Sequence, residues 1–418
     1  MEDKGVETNK KESKVITKNI LSKENVNIGR QPEFDYLKTL IILLMLPIHV
    51  YENYSRNYIS EIIEFIGIFL GAPGFMLLMG IGMKYTRHQD LNNYISRGFI
   101  LFTKGLYVNL LKNALPNLIS WWSTGKKIFI SRALLIIQTD ILMFAGFCFL
   151  FVALMKKMKL SDNYILSIGF IMNIIGFFLY KIIKSLNNFL LNQFLAYFVL
   201  TDADSYFPFF SYFIFVASGY WLGGIYLRVS NKDKFYNFIL FLCLPTATIY
   251  YYLRSYNFFP ILPEFCTDEH YVLHPGPDAI ATIMINLACL SIFHKIEKII
   301  KGKTPKFITK TAQNLNQYYT LSYLITMHIN IFLRATRGDN FPSKIKYPTL
   351  LAIIIFVICK ISIDINDKYI HFTIDKLKNP IRNFVFAFIW IMTIISLIYI
   401  YPKVEVYTTY WNNYLYEI

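Results

Sequence analysis

The stretch EFDYLKTLIILLMLPIHVYENYSR, from Glu33 to Arg56, decides how this chain is read. Leu37 to Tyr51 is nearly all apolar, as a helix in hydrocarbon must be. Yet Asp35 and Lys38 stand at one end, and His49 and Glu52 at the other. Titratable groups in lipid cost free energy, and they mark sites more often than they fill space. Pro47 lacks a backbone donor and predicts a kink just before His49. Lys38 and His49 are eleven residues apart, so on a helix they share a face about 16 Å apart, with Ile42 and Met45 between them.

The rest of the chain extends that pattern. It has 418 residues, of which 55% are hydrophobic and 17% aromatic, more apolar than an ordinary soluble domain. Apolar runs long enough to cross a bilayer recur throughout, and we expect an all-α, polytopic bundle of about eleven spans. These fall near 37–55, 60–83, 97–119, 133–155, 163–183, 206–226, 235–253, 277–294, 315–334, 346–363 and 381–401. A net charge of +15 would suit nucleic acid if it formed one face, but the basic residues sit in short loops between spans, so nucleic acid is excluded. With the N-terminus in the cytosol, roughly 25 basic residues fall inside and roughly 10 outside. Two outer loops run against that rule, one with Lys126, Lys127 and Arg132, the other with Arg337, Lys344 and Lys346.

Three regions are expected: a basic, disordered cytosolic tail over 1–32, a transmembrane domain over 33–402, and an extracytoplasmic segment over 403–418. The tail carries no apolar core or cleavage signature of a targeting peptide. The five cysteines form neither a disulfide framework nor a metal set, and no metal is expected. Cys148, Cys243, Cys289 and Cys359 read as small buried apolar residues, while Cys266 falls in a loop. The bias toward Ile, Asn, Lys and Tyr lowers the weight given to any single Lys or Asn.

A second histidine stands in NQYYTLSYLITMHINIFLR. If that span runs outward, His328 lies about 15–20 Å along it, level with His49. Two histidines at one depth suggest a shared polar cavity, although either could simply bond a neighbouring helix. GAPGFMLLMGIG, Gly71 to Gly82, follows no strand; its glycines read as helix contacts rather than a nucleotide loop. His88 has no second ligand at metal spacing, and Asp202 and Asp204 read as solvated loop residues.

FDYLKTLIILLMLPIHVYE resembles the first span of membrane acyltransferases, roughly LDxLRGxAxxxMxxxH. That superfamily includes the acyltransferase-3, heparan-glucosaminide N-acetyltransferase-like and YeiB/OpgC-like types. FLGAPGFMLLMGIGMKYTR, YFPFFSYFIFVASGYWLGGIYLR, the segment from LHPGPD onward, and TAQNLNQYYTLSYLITMHI are similar to its later segments, in the expected order. Three positions depart from the pattern: Lys38 replaces an arginine, Thr39 a glycine, and PGPD the usual prolines and serine.

The resemblance implies transfer of an acyl group, acetyl in our expectation, from cytosolic acyl-CoA to a hydroxyl or amine of an extracytoplasmic glycan or glycolipid. His49 would be the general base or an acylated nucleophile, and the base is favoured because it needs only one well-placed nitrogen. Glu52 would orient the ring, and His328 would donate to the thioester oxygen. Lys84, Arg87, Arg97 and Arg228 would meet the CoA phosphates. Lys38 would pair with Asp35 or with those phosphates. The expected setting is a cell membrane of bacterial or archaeal type, with the bilayer as partner and a homodimer left open. A glycolipid transporter using the same cavity, and a protein whose histidines only hold helices together, are the rival readings.

Overall fold

The computed structural model describes residues 20–183, 189–201, 206–256, 258–263, 272–338, 340–370 and 379–404. Residues 1–19 and 405–418, with Asp202, Asp204 and Cys266, lie outside the described residues. Within them the chain is helical, without strands; one isolated β-bridge joins Leu21 to Val229. The first half comprises α1 (Pro32–Asn53), α2 (Tyr58–Leu70), α3 (Ala72–Tyr85), α4 (Leu91–Asn109), α5 (Leu115–Thr124), α6 (Lys127–Ala133), α7 (Ile141–Lys157) and α8 (Asp162–Ile183). The second half comprises α9 (Phe189–Ala196), α10 (Phe209–Leu227), α11 (Lys232–Ser255), α12 (Gly276–Ile299), α13 (Lys306–Gln313), α14 (Leu315–Arg337), α15 (Pro348–Ile365) and α16 (Asn379–Val404).

Nine helical stretches among the described residues are long and apolar enough to cross a membrane. The other two expected spans, near 97–119 and 315–334, are helical but are not among the nine. Both carry polar residues that face inward, as described below.

Lipid gives no hydrophobic drive for one helix to leave it for another, so close packing must hold the bundle together. Glycine supplies that closeness twice. A Cβ on Gly80 of α3 would strike the carbonyl of Val216 on α10, and one on Gly219 would strike the carbonyl of Leu77. Between α4 and α7, a Cβ on Gly146 would stand 2.7 Å from the Gly98 carbonyl oxygen. Around these contacts lies one core, with Met76, Leu77, Cys148, Val152, Phe213 and Val216 in it. A second core joins α1 to α14 and α15 through Ile42, Leu46, Val50, Tyr318, Ile355 and Cys359. The outer helices expose Ile182, Phe241, Ile353 and Ile398, as lipid-facing surfaces should.

Residues 20–31, read from sequence as part of the tail, cross the end of α10. Ser22 N donates to the Arg228 carbonyl (2.8 Å), Val26 N to the Leu227 carbonyl (2.9 Å), and Ser230 N to the Ile20 carbonyl (3.0 Å). Glu33, nearly fully buried, accepts from Tyr236 Oη (2.7 Å) and pairs with Lys232 (3.4 Å), which fixes the start of α1 against α11.

Candidate active site

Helix α1 begins with Pro at its first position, where the missing donor costs nothing, and holds both Lys38 and His49 on one continuous helix. Its Ile41, Met45, Ile48, His49 and Glu52 form one wall of a cavity. Opposite stand Phe75 of α3, Lys112, Asp140, and Tyr319 and Tyr323 of α14. The cavity measures about 60 Å³, room for several waters. Glu52 is exposed at its mouth, and its inner end stops at Ile41, one turn short of Lys38.

The imidazole of His49 is held by aromatic contacts. Its ring stacks on Tyr323, with centroids 4.3 Å apart and an interplanar angle of 17°, and meets Tyr319 at 5.9 Å and 67°. Nδ1 is buried without a hydrogen-bond partner among the described residues. The ring therefore lines the cavity and does not lie among lipid tails.

Facing it is an ion pair that sequence reading passed over. Lys112 Nζ lies 3.2 Å from Asp140 Oδ2, and both side chains are almost wholly buried. The same Asp140 oxygen accepts from Tyr319 Oη at 2.6 Å, while Oδ1 accepts from Leu142 N at 2.9 Å and so caps α7. The Lys112 ammonium also sits 3.9 Å from the centroid of the Tyr323 ring that stacks on His49.

Local sequence explains how Lys112 and Asp140 meet. Leu110–Ala114 forms a wide π turn between α4 and α5, a feature often found at functional sites. Asn109 and Asn113 flank Lys112 and donate to the backbone of the segment before Asp140. Asn109 Nδ2 reaches the carbonyls of Ile136 (3.1 Å) and Gln138 (2.8 Å), and Asn113 Nδ2 that of Leu135 (3.3 Å). Tyr197 Oη adds a bond to the Ile137 carbonyl at 2.6 Å. Asp140 is thus fixed on both sides of its peptide.

The structure brings His49 and Glu52 to the cavity; the other candidates lie elsewhere. His328 is exposed, its Nδ1 2.7 Å from the carbonyl oxygen of Leu324 in its own helix, and it does not line the cavity. Asp35 pairs with Arg30 at 2.7 Å rather than with Lys38, which is half-buried. Lys84 pairs with Asp162 at 2.7 Å, and Arg97 lies 5.2 Å from the Phe149 ring centroid. Arg228 Nε donates to the Gly224 carbonyl at 3.2 Å, and Arg87 is exposed. These four basic residues stand near the α3, α4 and α10 ends opposite the mouth, apart from the cavity.

Within a bundle of membrane-length helices, a mostly apolar cavity thus holds a histidine, a carboxylate and a buried ion pair. The family model described as heparan-alpha-glucosaminide N-acetyltransferase, catalytic, matches residues 30–255, more than half of the chain, and the chain belongs to that family. No curated protein and no solved structure matches it. The matched region holds His49, Glu52, Lys112 and Asp140; Tyr319 and Tyr323 come from beyond it.

Proposed function

We propose that this protein transfers an acyl group, acetyl in the simplest case, from cytosolic acyl-CoA to a hydroxyl or amine of an extracytoplasmic glycan or glycolipid. The position of the His49 ring, at the wall of a cavity that reaches Glu52 at its mouth, carries this reading. Membership of an acetyltransferase family supports it. The acceptor's nitrogen or oxygen attacks the thioester carbonyl carbon while His49 takes its proton. The carbon–sulfur bond then breaks, and the imidazolium returns the proton to the leaving thiolate. Nucleophile and thioester, both held in a small site, meet without the entropy cost of a free encounter. Lys38, Lys84, Arg87, Arg97 and Arg228 remain candidates for the nucleotide phosphates at the opposite end.

The test is a sided one. Purified protein is placed in sealed vesicles that contain glucosamine, which offers both an amine and hydroxyls. Acetyl-CoA labelled in the acetyl group is added outside. Labelled acetylglucosamine inside the vesicles, with unacylated CoA left outside, is the expected result. Intact acetyl-CoA inside, or glucosamine released without label, would replace this reading with transport.

A further inference from the structure

We infer that Lys112 is a second catalytic residue of this site, whose ammonium holds the thioester carbonyl oxygen as it becomes an oxyanion, with Asp140 and Tyr319 as positioning residues. This rests on the acyl-transfer reading above. An ammonium taken out of water must be compensated, and a helix crossing a membrane has no structural need for one. Among the described residues Lys112 has one carboxylate oxygen at 3.2 Å and one aromatic face at 3.9 Å, with the Glu52 carboxylate attracting it from further off. A lysine has three N–H donors. Among the described residues its side chain makes a single hydrogen bond, to Asp140, so donor capacity remains on a side chain that lines the cavity.

Asp140 is arranged to hold that ammonium still. One of its oxygens already accepts from Tyr319 Oη and the other from Leu142 N, which fixes the carboxylate in place. Its backbone segment is tied down by Asn109, Asn113 and Tyr197. Tyr323 places the two groups relative to each other, with the Lys112 ammonium over its ring and the His49 ring stacked on it. A base and a fixed cation therefore border one small cavity. That is what acyl transfer to a thioester needs: one group to remove a proton from the attacking atom, and one to meet the negative charge that arrives on the carbonyl oxygen. When the carbon–sulfur bond breaks, the electron pair returns from that oxygen to the carbonyl bond and the charge leaves with sulfur. Lys112 gives up no proton in the cycle.

The test uses acetyl-CoA with a ¹³C-labelled carbonyl, bound to the full-length purified protein and observed by infrared difference spectroscopy. His49→Gln serves as background so that the thioester survives. In that variant the carbonyl band of bound acetyl-CoA should lie below its position in buffer. Adding Lys112→Met with Asp140→Asn, which removes both charges and leaves no lone carboxylate, should abolish the shift. With His49 restored, the same pair should lower kcat for glucosamine acetylation by about 10²- to 10³-fold with little change in KM for acetyl-CoA, since the contact strengthens as charge develops. If the Met/Asn pair does not fold, Lys112→Gln with Asp140→Asn keeps a neutral donor and should give an intermediate band. A band that stays put in these variants, or turnover retained, overturns the role of Lys112 and leaves acyl transfer standing. Wild-type protein that binds no acetyl-CoA overturns the reading of the site, and this inference with it.

Discussion

Replacing Asp140 by alanine removes three interactions at once: the Lys112 ion pair, the Tyr319 hydroxyl bond and the cap on α7. Breaking a buried pair from one side costs about 3–5 kcal/mol, because the partner charge is left uncompensated. Losing an aspartate cap costs about 1 kcal/mol more, and losing the tyrosine bond about 1 kcal/mol. Asp140→Ala should therefore destabilise the protein by about 5–7 kcal/mol, a large share of the stability of any domain. Most of that cost should vanish when Lys112 is neutral. In Lys112→Met, the further change Asp140→Ala should cost only about 1–2 kcal/mol, for the cap and the tyrosine bond. Thermal or denaturant unfolding of the four proteins in one detergent closes the cycle, with a coupling of several kcal/mol expected between neighbours that share a bond. Equal costs of Asp140→Ala with and without Lys112 would show that the pair is not formed as described.

Three further outcomes can be checked. His49→Gln should lower acetyl transfer by about 10²- to 10⁴-fold while the unfolding midpoint barely moves; a collapsed midpoint would make the ring a structural tie. His328→Ala should leave turnover within about twofold, because that ring is exposed and bonded to its own helix; a loss beyond tenfold would put it in the site. Gly219→Leu forces a side chain against the Leu77 carbonyl and should cost about 1–3 kcal/mol or more, seen as a lowered midpoint and a heterogeneous gel-filtration peak; a wild-type profile would mean that α3 and α10 are not so close.

The bundle was legible because hydropathy runs report membrane spans almost directly, and His49 because an imidazole so placed breaks such a run. Lys112 was hidden for a compositional reason. In a chain this rich in lysine one more carries little weight, and only its pairing across space with Asp140 distinguishes it. Depth alone misdirected the reading of His328. It stands nine residues after Tyr319, two and a half helical turns, so it lies about 13 Å further along the helix and on its opposite side. Tyr319 and Tyr323, one turn apart, occupy the inward face. The two segments that miss the hydropathy expected of a span bear Lys112 and these tyrosines, so weak apolarity was itself a sign of the site. Asp35, one of the two partners expected for Lys38, makes its close ion pair with Arg30, which precedes the helix and which helical spacing alone could not place.

The π turn at Leu110–Ala114 makes the length of this stretch as exacting as its chemistry. One surplus residue is absorbed there. Deleting any one of the five would let an ordinary helix run through, turning everything downstream by about 100° against everything upstream. Gly98 and Gly105 would stay seated on α7, while the buried Asn117 and the start of α5 would turn out of the packing they now occupy. The interval from Gly105 to Asn117 therefore behaves as a fixed ruler: substitutions within it can be neutral, but a change in its length should not be.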